Sequence, residues 1–168
     1  MHNSTTMEIK IRKATIEDSA AILALIEELA KFEREPDAVI VSQIDIEKHG
    51  FGQNPLFECF VAEVDQKIVG IALFYARYST WKGPTLHLED LIVTEKMKGN
   101  GIGTALYRKF VEYGYSSRVA RIEWNVLNWN EPAISFYEKS GASVLTNWRT
   151  VQMHREQMKQ FLNNSKKL

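Results

Sequence analysis

The sequence predicts an α/β protein with a mixed sheet, partly parallel, that is covered by helices. Three observations lead to this class. Apolar residues recur at helical spacing through residues 16–33, and two β-rich apolar runs at 57–64 and 67–78 flank a short turn. Strands then alternate with helices in the second half of the chain, and this alternation is typical of parallel strand pairs.

The first half of the chain has the order β-α-α-β-β. Residues 8–12 alternate as in a strand, and Thr15 followed by Asp18 indicates a capping box at the start of the first helix. A shorter helix is expected over residues 42–50. Asp65-Gln66 separates the two apolar runs, so we predict a hairpin there.

The second half continues with alternating elements. Strands are expected at 86–93 and 121–126, and helices at 101–115 and 132–140, the last with proline in its first turn. A last strand region over 144–153 and a polar C-terminal helix complete the pattern.

The strand at 86–93 has an irregular apolar pattern. Its large apolar residues change parity along the strand: Leu86 and Leu88, then Leu91 and Val93. A regular strand cannot point all four to one face, and one extra residue near Glu89-Asp90 removes the conflict. We therefore predict a β-bulge there, a feature often found beside active sites. The alternative is a strand buried on both faces, which Ile92 favours.

A glycine-rich loop joins this strand to the next helix. Its residues are Lys98, Gly99, Asn100, Gly101, Ile102, Gly103 and Thr104. Glycines let backbone N–H groups approach a ligand closely, and a helix N-terminus adds partial positive charge, so the loop suits a pyrophosphate. The loop lacks the Gly-Lys-Ser/Thr ending of a Walker A motif and the third glycine of a dinucleotide-binding fingerprint.

Composition limits the classes of function. Lys plus Arg and Asp plus Glu each number 21, and zero net charge argues against a nucleic-acid-binding protein. The single Cys59 lies in an apolar run and excludes an intrachain disulfide, which favours a reducing, cytoplasmic location. No apolar stretch approaches the ~20 residues that a membrane helix needs. The histidines lack metal-ligand spacing, so no metal is expected.

The length of 168 residues corresponds to one domain, 1–168, and we expect its polar first residues, 1–6, to be loose.

These residues resemble the GCN5-related N-acetyltransferase superfamily. Its coenzyme A loop reads Arg/Gln-x-x-Gly-x-Gly/Ala, and Lys98-x-x-Gly101-x-Gly103 is similar, with Lys in place of Arg or Gln. The chain is most similar to the diamine acetyltransferases, which act on spermidine, spermine or thialysine. The segments that carry this similarity are 28–33, 50–52, 54–55, 61–63, 78–83, 88–90, 101–103, 129–132, 136–137 and 141–142.

Two features favour the thialysine branch of that group. Ser79 stands where the polyamine branch has an Asp, and the acidic segment that normally precedes the late Trp148 is missing. Each lost carboxylate weakens the case for a long polycation such as spermine.

The resemblance implies a fold and its partners. The fold is a central, mostly antiparallel sheet with a parallel, splayed pair of strands and helices on both faces. The co-substrate is acetyl-CoA, the acceptor is a primary amine of a small molecule, and the protein is a homodimer. Two alternatives stay open: a protein lysine or N-terminal acetyltransferase, and a non-catalytic coenzyme A-binding module.

The chemistry of acetyl transfer suggests two catalytic residues. An alkyl amine has a pKa near ~10.4, so at pH 7 only about one molecule in 2,500 is the neutral nucleophile. By resemblance, Glu89 is the base that acts on the amine directly or through water, and Tyr137 is the acid that protonates the leaving thiolate. A solvated or ion-paired Glu89 and a core Tyr137 are the alternatives. The backbone N–H of Leu91 is expected to hold the oxyanion.

The resemblance also assigns binding residues. Those expected on acetyl-CoA are Leu91, Ile92, Val93, Lys98, Gly99, Asn100, Gly101, Ile102, Gly103, Thr104, Asn130, Pro132, Ala133 and Tyr137. Those expected on the amine are Phe32, Glu33, Trp81, Glu89, Asp90, Glu123, Trp124 and Asn125. Trp81 either covers the alkyl chain or packs in the core. His87, where relatives more often have Tyr, either tunes the site or is an ordinary strand residue.

Overall fold

The computed structural model describes residues 7–164, so the segment 1–6, expected to be loose, lies outside it. The chain divides into two compact units after Asn125. Among residues 7–164, the first unit contains five strands and three α-helices, and the second contains two α-helices.

The first unit is built on one mixed sheet. Its strands are β1 (Lys10–Lys13), β2 (Glu58–Val64), β3 (Lys67–Ser79), β4 (Gly83–Val93) and β5 (Arg121–Trp124). They lie side by side in chain order, with β1 to β4 antiparallel and β4 parallel to β5. The predicted mixed sheet with one parallel pair is therefore confirmed.

Helices cover both faces of this sheet, as expected. They are α1 (Ser19–Phe32), α2 (Gln43–Phe51) and α3 (Ile102–Ser116). On one face, α3 packs Ile102, Leu106 and Phe110 against the sheet. On the other face, α1 and α2 pack Ile22, Leu25 and Ile46 against it. Each face has its own apolar core, so the sheet is buried between two layers of helix.

The predicted β-bulge is present in β4. Leu73 of β3 pairs with Asp90, whereas the next residue, Phe74, pairs with Leu88, so Glu89 is the extra residue. As a result, the four large apolar residues share the α3 face: Leu86, Leu88 and Val93 in the core and Leu91 packed against it. The parity conflict in the sequence is thus resolved by one inserted residue.

A buried acid fixes the start of the first helix. A short 3-10 turn precedes α1, and its Asp18 is 7% exposed. Asp18 accepts a hydrogen bond from the Thr15 backbone N–H at 2.8 Å and two from the Arg12 guanidinium, at 2.7 and 2.9 Å. Arg12 also donates to Glu63 of β2 at 2.8 Å. The predicted capping acid therefore also connects the helix to the sheet.

The second unit contains α4 (Glu131–Lys139) and α5 (Arg155–Asn164). The Asn130 side chain caps α4 by accepting from the Ala133 N–H at 3.4 Å, and Pro132 lies in the first turn. Gly141 follows the helix end with a φ of 95°, as glycine permits.

Two strand predictions need correction. The last strand, expected at 144–153, is irregular and largely exposed. A strand requires a neighbouring backbone to pair with, and the structure describes no strand in this second unit. The strand expected at 121–126 is shorter, because β5 ends at Trp124.

Replacing Asp18 with Asn should make the free energy of unfolding less dependent on pH in the acidic range. The hydrogen bonds from Arg12 lower the pKa of Asp18, and burial opposes them. A lowered folded pKa contributes stability that is fully present above the ordinary value of ~3.9 and is lost as pH falls through the folded value. We expect Asp18→Asn to lower the free energy of unfolding by about 2–3 kcal/mol at pH 7, because Arg12 loses a buried partner.

Urea unfolding between pH 3 and 7 measures this effect, with the exposed Asp37→Asn as the control. The difference in free energy of unfolding between Asp18→Asn and the unaltered chain should become smaller as pH falls below about 4. A constant gap across that range would contradict the role given to the Asp18 charge.

Candidate active site

The bulge gathers three acidic side chains. Glu89, the inserted residue, is exposed, and its neighbour Asp90 is half-buried. Glu33 lies at the C-terminal end of α1, close enough for its charge to act on both Asp90 and Glu89. All three belong to the predicted amine site, so the structure brings these residues together.

Mutual repulsion and desolvation make this cluster favourable for a cation. Desolvation, followed by the charges of Glu89 and Glu33, raises the pKa of Asp90 to about 6. Desolvation and the charge of Glu89 also raise the pKa of Glu33. A bound ammonium group would relieve this repulsion, because opposite charges at short range stabilise the ionised carboxylates.

A polar row crosses the sheet beside the cluster. The strand register places Tyr75 of β3, His87 of β4 and Glu123 of β5 next to one another. The Tyr75 hydroxyl donates to Oε2 of Glu89 at 3.0 Å, and its ring stacks on His87 at 5.2 Å between centroids. Desolvation and this hydrogen bond raise the pKa of Tyr75 to about 12. Tyr75 therefore orients Glu89 as a hydrogen-bond donor.

Two arginines hold the far end of the row. Arg77 of β3 pairs with Glu123, and Nη2 of Arg121 lies 2.8 Å from Oε2 of the same carboxylate. Tyr75, Arg77 and Arg121 were not among the predicted site residues. The alternation Phe74-Tyr75 in β3 indicates that Tyr75 faces away from the α3 core, but only the register shows which residue it meets.

The glycine loop has open surroundings and leads into the N-terminus of α3, as its sequence predicts. Gly99 and Gly101 have φ values of 80° and 78°, a region that favours glycine, and no atom lies within 4 Å of a Cβ built on either. Gly101 is the N-cap of α3, and the first turn of this helix has no acidic residue. The N–H groups at this helix end therefore form a suitable anion site.

The first helix supports this loop from the side. Oε1 of Glu28 accepts from the Glu95 backbone N–H at 2.8 Å and from the Thr94 hydroxyl at 3.2 Å. Near the end of the same helix, the Phe32 ring lies 4.9 Å from Nζ of Lys98. Helix α1 thus contacts the segment between β4 and α3 at two points.

The strand leading into the loop loses one neighbour at the bulge. β5 pairs with β4 only from Thr85 to Leu88. Beyond Leu88, the backbone through Leu91, Ile92 and Val93 continues without β5 beside it. The side chains of Ile92 and Val93 are buried in the two cores, so any ligand contact there comes from the main chain. The main-chain contact with the cofactor expected for these residues stays a prediction.

Other residues predicted for the amine site lie in the β3–β4 turn and at the end of β5. Trp81 is 81% exposed in the turn between β3 and β4, which excludes a core tryptophan. Trp124 packs edge-on against Tyr107 in the α3-side cluster, the face opposite to Glu123. Asn125 is exposed and directly follows β5.

The predicted residues of the second unit all lie on or before α4. Asn130 is its cap, Pro132 and Ala133 lie in its first turn, and Tyr137 is half-buried near its end. Asn130 therefore has a structural role as the helix cap, and its expected contact with the cofactor stays a prediction.

Cys59 is buried and has no disulfide, and burial raises the pKa of its thiol. This environment suits a structural thiol and not a nucleophile.

Within residues 7–164, no group of three or more acidic, histidine or cysteine side chains is arranged to hold a metal ion. Among the same residues, no helix is both long and apolar enough to cross a membrane.

Solved structures share this fold. An integron cassette protein from V. cholerae superposes with a TM-score of 0.76 at 19% identity, over 93% of this chain and 98% of that one. An aminoglycoside acetyltransferase from a soil metagenome gives a TM-score of 0.69 at 19% identity, over 86% and 97%. The fold is therefore that of known acetyltransferases.

Sequence comparison gives the family. The model of the acetyltransferase (GNAT) family matches residues 21–142, and this chain belongs to that family. Thialysine N-epsilon-acetyltransferase of Mus musculus is 35% identical over 163 residues, covering 90% of this chain and 96% of the mouse protein. Spermidine/spermine N(1)-acetyltransferase-like protein 1 of Homo sapiens is 34% identical over 165 residues, covering 92% of this chain but 24% of the human protein.

Replacing Asp90 with Asn should stabilise the protein above pH 6. A carboxyl group whose folded pKa is raised binds more protons in the folded state, so its ionisation costs stability as pH rises from ~4 through 6. Because the pKa of Asp90 is about 6, we expect Asp90→Asn to raise the free energy of unfolding by about 1–2 kcal/mol at pH 8. At pH 4 the difference should disappear.

Urea unfolding at pH 4, 6 and 8 measures this gain, with Asp37→Asn as a control that shows no such trend. A variant less stable than the unaltered chain at pH 8 would show that Asp90 is compensated by another group.

Proposed function

We propose that this acetyltransferase moves the acetyl group of acetyl-CoA directly onto a primary amine of a small cationic molecule. The acceptor class is thialysine-like, lysine-like or a short diamine. The observation that carries the proposal is the cluster of Glu33, Glu89 and Asp90 at the bulge of the strand that leads into the glycine loop. The relatives named for thialysine and for spermidine/spermine support the same acceptor class.

The acidic cluster would bind the ammonium form of the acceptor. Desolvation and, after it, mutual repulsion raise the pKa values of Glu33 and Asp90, and a bound cation offsets the repulsion. Ammonium binding also opposes loss of the proton, so a base must accept it before the amine can attack. Glu89 is the proposed base, since it is exposed and its carboxylate is already oriented by Tyr75.

The glycine loop would hold the pyrophosphate of acetyl-CoA, the co-substrate of this family. The exposed loop from Lys98 to Gly101 leads into the N-terminus of the 15-residue helix α3. The main chain from Leu91 to Val93 would line the rest of the cofactor, with the Leu91 N–H on the oxyanion. Asn130, Pro132 and Ala133 are proposed as further cofactor contacts from the family resemblance.

Tyr137 is proposed as the acid that protonates the coenzyme A thiolate. The support is the family resemblance of Phe136-Tyr137 together with Gly141-Ala142, and a half-buried position in α4. A phenol of ordinary pKa ~10 can donate a proton to a thiolate of similar basicity.

We further propose that the whole chain acts as one domain, because the family match at 21–142 continues across the division at Asn125. A homodimer is proposed from the family resemblance. A cytoplasmic location is proposed from the buried Cys59, which forms no disulfide. Light scattering of the purified protein tests the dimer.

Replacing Gly101 with Ala should weaken acetyl-CoA binding. The φ of 78° at Gly101 strains any other residue by about 1–2 kcal/mol, although a Cβ meets no neighbour there. Relief of this strain moves the loop that would hold the pyrophosphate, so we expect the Kd for coenzyme A to rise about tenfold or more.

Gly83→Ala is the matched control for this variant. Gly83 has a φ of 83° and equally open surroundings in the β3–β4 turn, so its strain is comparable. Calorimetric titration with coenzyme A compares the two variants. Equal affinity in both would remove the loop from the cofactor site.

Glu89→Gln and Tyr137→Phe should each lower kcat by about 10²-fold or more while the affinity for coenzyme A stays within twofold, because each removes a proton-transfer group. The assay measures free thiol with acetyl-CoA and thialysine, short diamines, spermine and a lysine peptide. Tyr115→Phe, an exposed tyrosine on α3, is the control.

The acceptor panel also separates the alternatives. Preference for the lysine peptide would favour a protein acetyltransferase, and cofactor binding without turnover of any amine would favour a non-catalytic module. Full activity of Tyr137→Phe would remove Tyr137 from the mechanism.

A further inference from the structure

Two arginines beside the acidic cluster have no role in the proposed reaction. Arg77 of β3 contacts Oε1 of Glu123 through Nη1, and Nη2 of Arg121 lies 2.8 Å from Oε2 of the same carboxylate. Because two guanidinium groups share one carboxylate, the three side chains together keep a net positive charge. Arg77 and Arg121 form what we call the arginine pair.

The arginine pair is accessible, whereas the carboxylate that it shares is largely covered. The side chains of Arg77 and Arg121 are 56% and 42% exposed, and that of Glu123 is 21% exposed. Each guanidinium carries five N–H donors in one plane, and its contact with Glu123 involves a single nitrogen. The other nitrogens can therefore donate to an incoming carboxylate, whose geometry matches this planar fork.

The strand register places the arginine pair in line with the acidic cluster. Arg77, the uncharged Thr85 and Arg121 lie opposite one another on β3, β4 and β5. Residues two apart on a strand share a face, so this row lies about 6.6 Å along the sheet from the row of Tyr75 and His87. One face of the sheet thus carries carboxylates at the bulge and guanidinium groups further along.

The basic end of this face has no acidic residue from the connecting segment of the chain. The strand β3 ends at Ser79, two residues after Arg77, and the sequence from Tyr78 to Leu88 contains no Asp or Glu but adds Lys82. The second ammonium group of a diamine would meet like charges here. Juxtaposed like charges select against a ligand, so this end disfavours diamines.

The separation of the two charged ends suits a chain of lysine length. The His87 ring lies between Glu89 and Glu123, with Nε2 3.7 Å from Oε2 of Glu89 and Nδ1 3.9 Å from Oε1 of Glu123. With ring bonds of about 1.3 Å, these two oxygens are at most about 10 Å apart. An extended lysine has about 9 Å between its terminal nitrogen and a carboxylate oxygen. One such molecule can therefore contact both ends.

We propose that the arginine pair binds the carboxylate of the acceptor, so that the preferred substrate is a free amino acid with a terminal side-chain amine, such as thialysine or lysine. This inference rests on the proposed function, because the acidic cluster must hold the reacting amine. The acceptor is then bound at two points, by its ammonium group at the cluster and by its carboxylate at Arg77 and Arg121. An internal lysine of a protein lacks that carboxylate.

The head group of an amino acid brings both signs of charge. Its carboxylate is matched by the arginine pair, and Glu123 supplies a negative charge for the neighbouring α-ammonium group. A diamine brings only positive charge to a net positive group of side chains. Arg77 and Arg121 are therefore specificity residues, and they take no part in the bonds that form and break.

Three acceptors that differ at one end test the role of the carboxylate. They are thialysine, thialysine amide and the diamine in which hydrogen replaces the thialysine carboxylate. With acetyl-CoA and the unaltered full-length protein, we expect kcat/KM for thialysine to exceed that for either of the others by about tenfold or more, the usual effect of a hydrogen bond to a charged group.

Arg77→Gln and Arg121→Gln test the arginine pair itself. Each variant should raise KM for thialysine about tenfold, with a smaller effect on kcat, because binding and not chemistry is altered. The kcat/KM for the diamine should rise, because repulsion is reduced. Arg108→Gln, which removes an exposed arginine paired with Glu112 on α3, is the matched control and should change neither value. If one variant does not fold, the other gives the same comparison.

A binding measurement gives a readout without turnover. Calorimetric titration of thialysine and of the diamine into the protein with coenzyme A should give the lower Kd for thialysine. This difference should shrink in Arg77→Gln and Arg121→Gln and persist in Arg108→Gln. Equal Kd values in the unaltered protein would contradict carboxylate binding.

The outcomes separate this inference from the proposed function. If the unaltered protein acetylates the diamine as well as thialysine, or if the arginine variants lose the same factor with all three acceptors, the arginine pair does not select a carboxylate. Acetyl transfer to small amines would then still stand. If the unaltered protein acetylates none of the three acceptors, the proposed function is wrong and the inference is lost with it.

Discussion

A single inserted residue in the central strand determines the geometry of the candidate site. Glu89 has no residue opposite it in the register with β3, and this insertion lets Leu88 and Leu91 face the same core. The core therefore requires the bulge, since a regular strand would turn Leu91 away from α3. The same insertion places a carboxylate at an exposed position between two buried segments. Packing of the core thus holds neighbouring carboxyl groups together, and the pKa of Asp90 is raised first by desolvation and then by the charges of Glu89 and Glu33.

The polar row beside the bulge depends on both kinds of strand pairing. Antiparallel pairing with β3 supplies Tyr75 and Arg77, and parallel pairing with β5 supplies Glu123. Because β5 pairs with β4 only as far as Leu88, the row lies one residue before β4 continues without that neighbour. Up to the bulge, the edge of β4 that faces β5 is therefore covered by paired side chains. Beyond the bulge, the main chain on that edge has no β5 residue beside it.

Local sequence patterns predicted most of this architecture, because they report local constraints. The bulge followed from a change of parity, and the helix start at Thr15 from a capping pair. The roles of Tyr75 and Arg77 could not be predicted, since which residues meet across a sheet depends on the register between distant segments. The strand expected at 144–153 was wrong for a related reason: apolar composition does not provide a pairing partner. The assignments from family resemblance, Tyr137 among them, stay predictions.

The contact between Glu28 and the segment after β4 has a consequence for evolution and for engineering. The same helix carries Glu28 beside the backbone of Glu95 and ends next to Glu33 of the acidic cluster. A rigid rod held at one place cannot tilt without displacing its far end. Under the proposed assignment of the acidic cluster to the acceptor and of the glycine loop to acetyl-CoA, substitutions buried beneath α1 would change acceptor selectivity and cofactor affinity together.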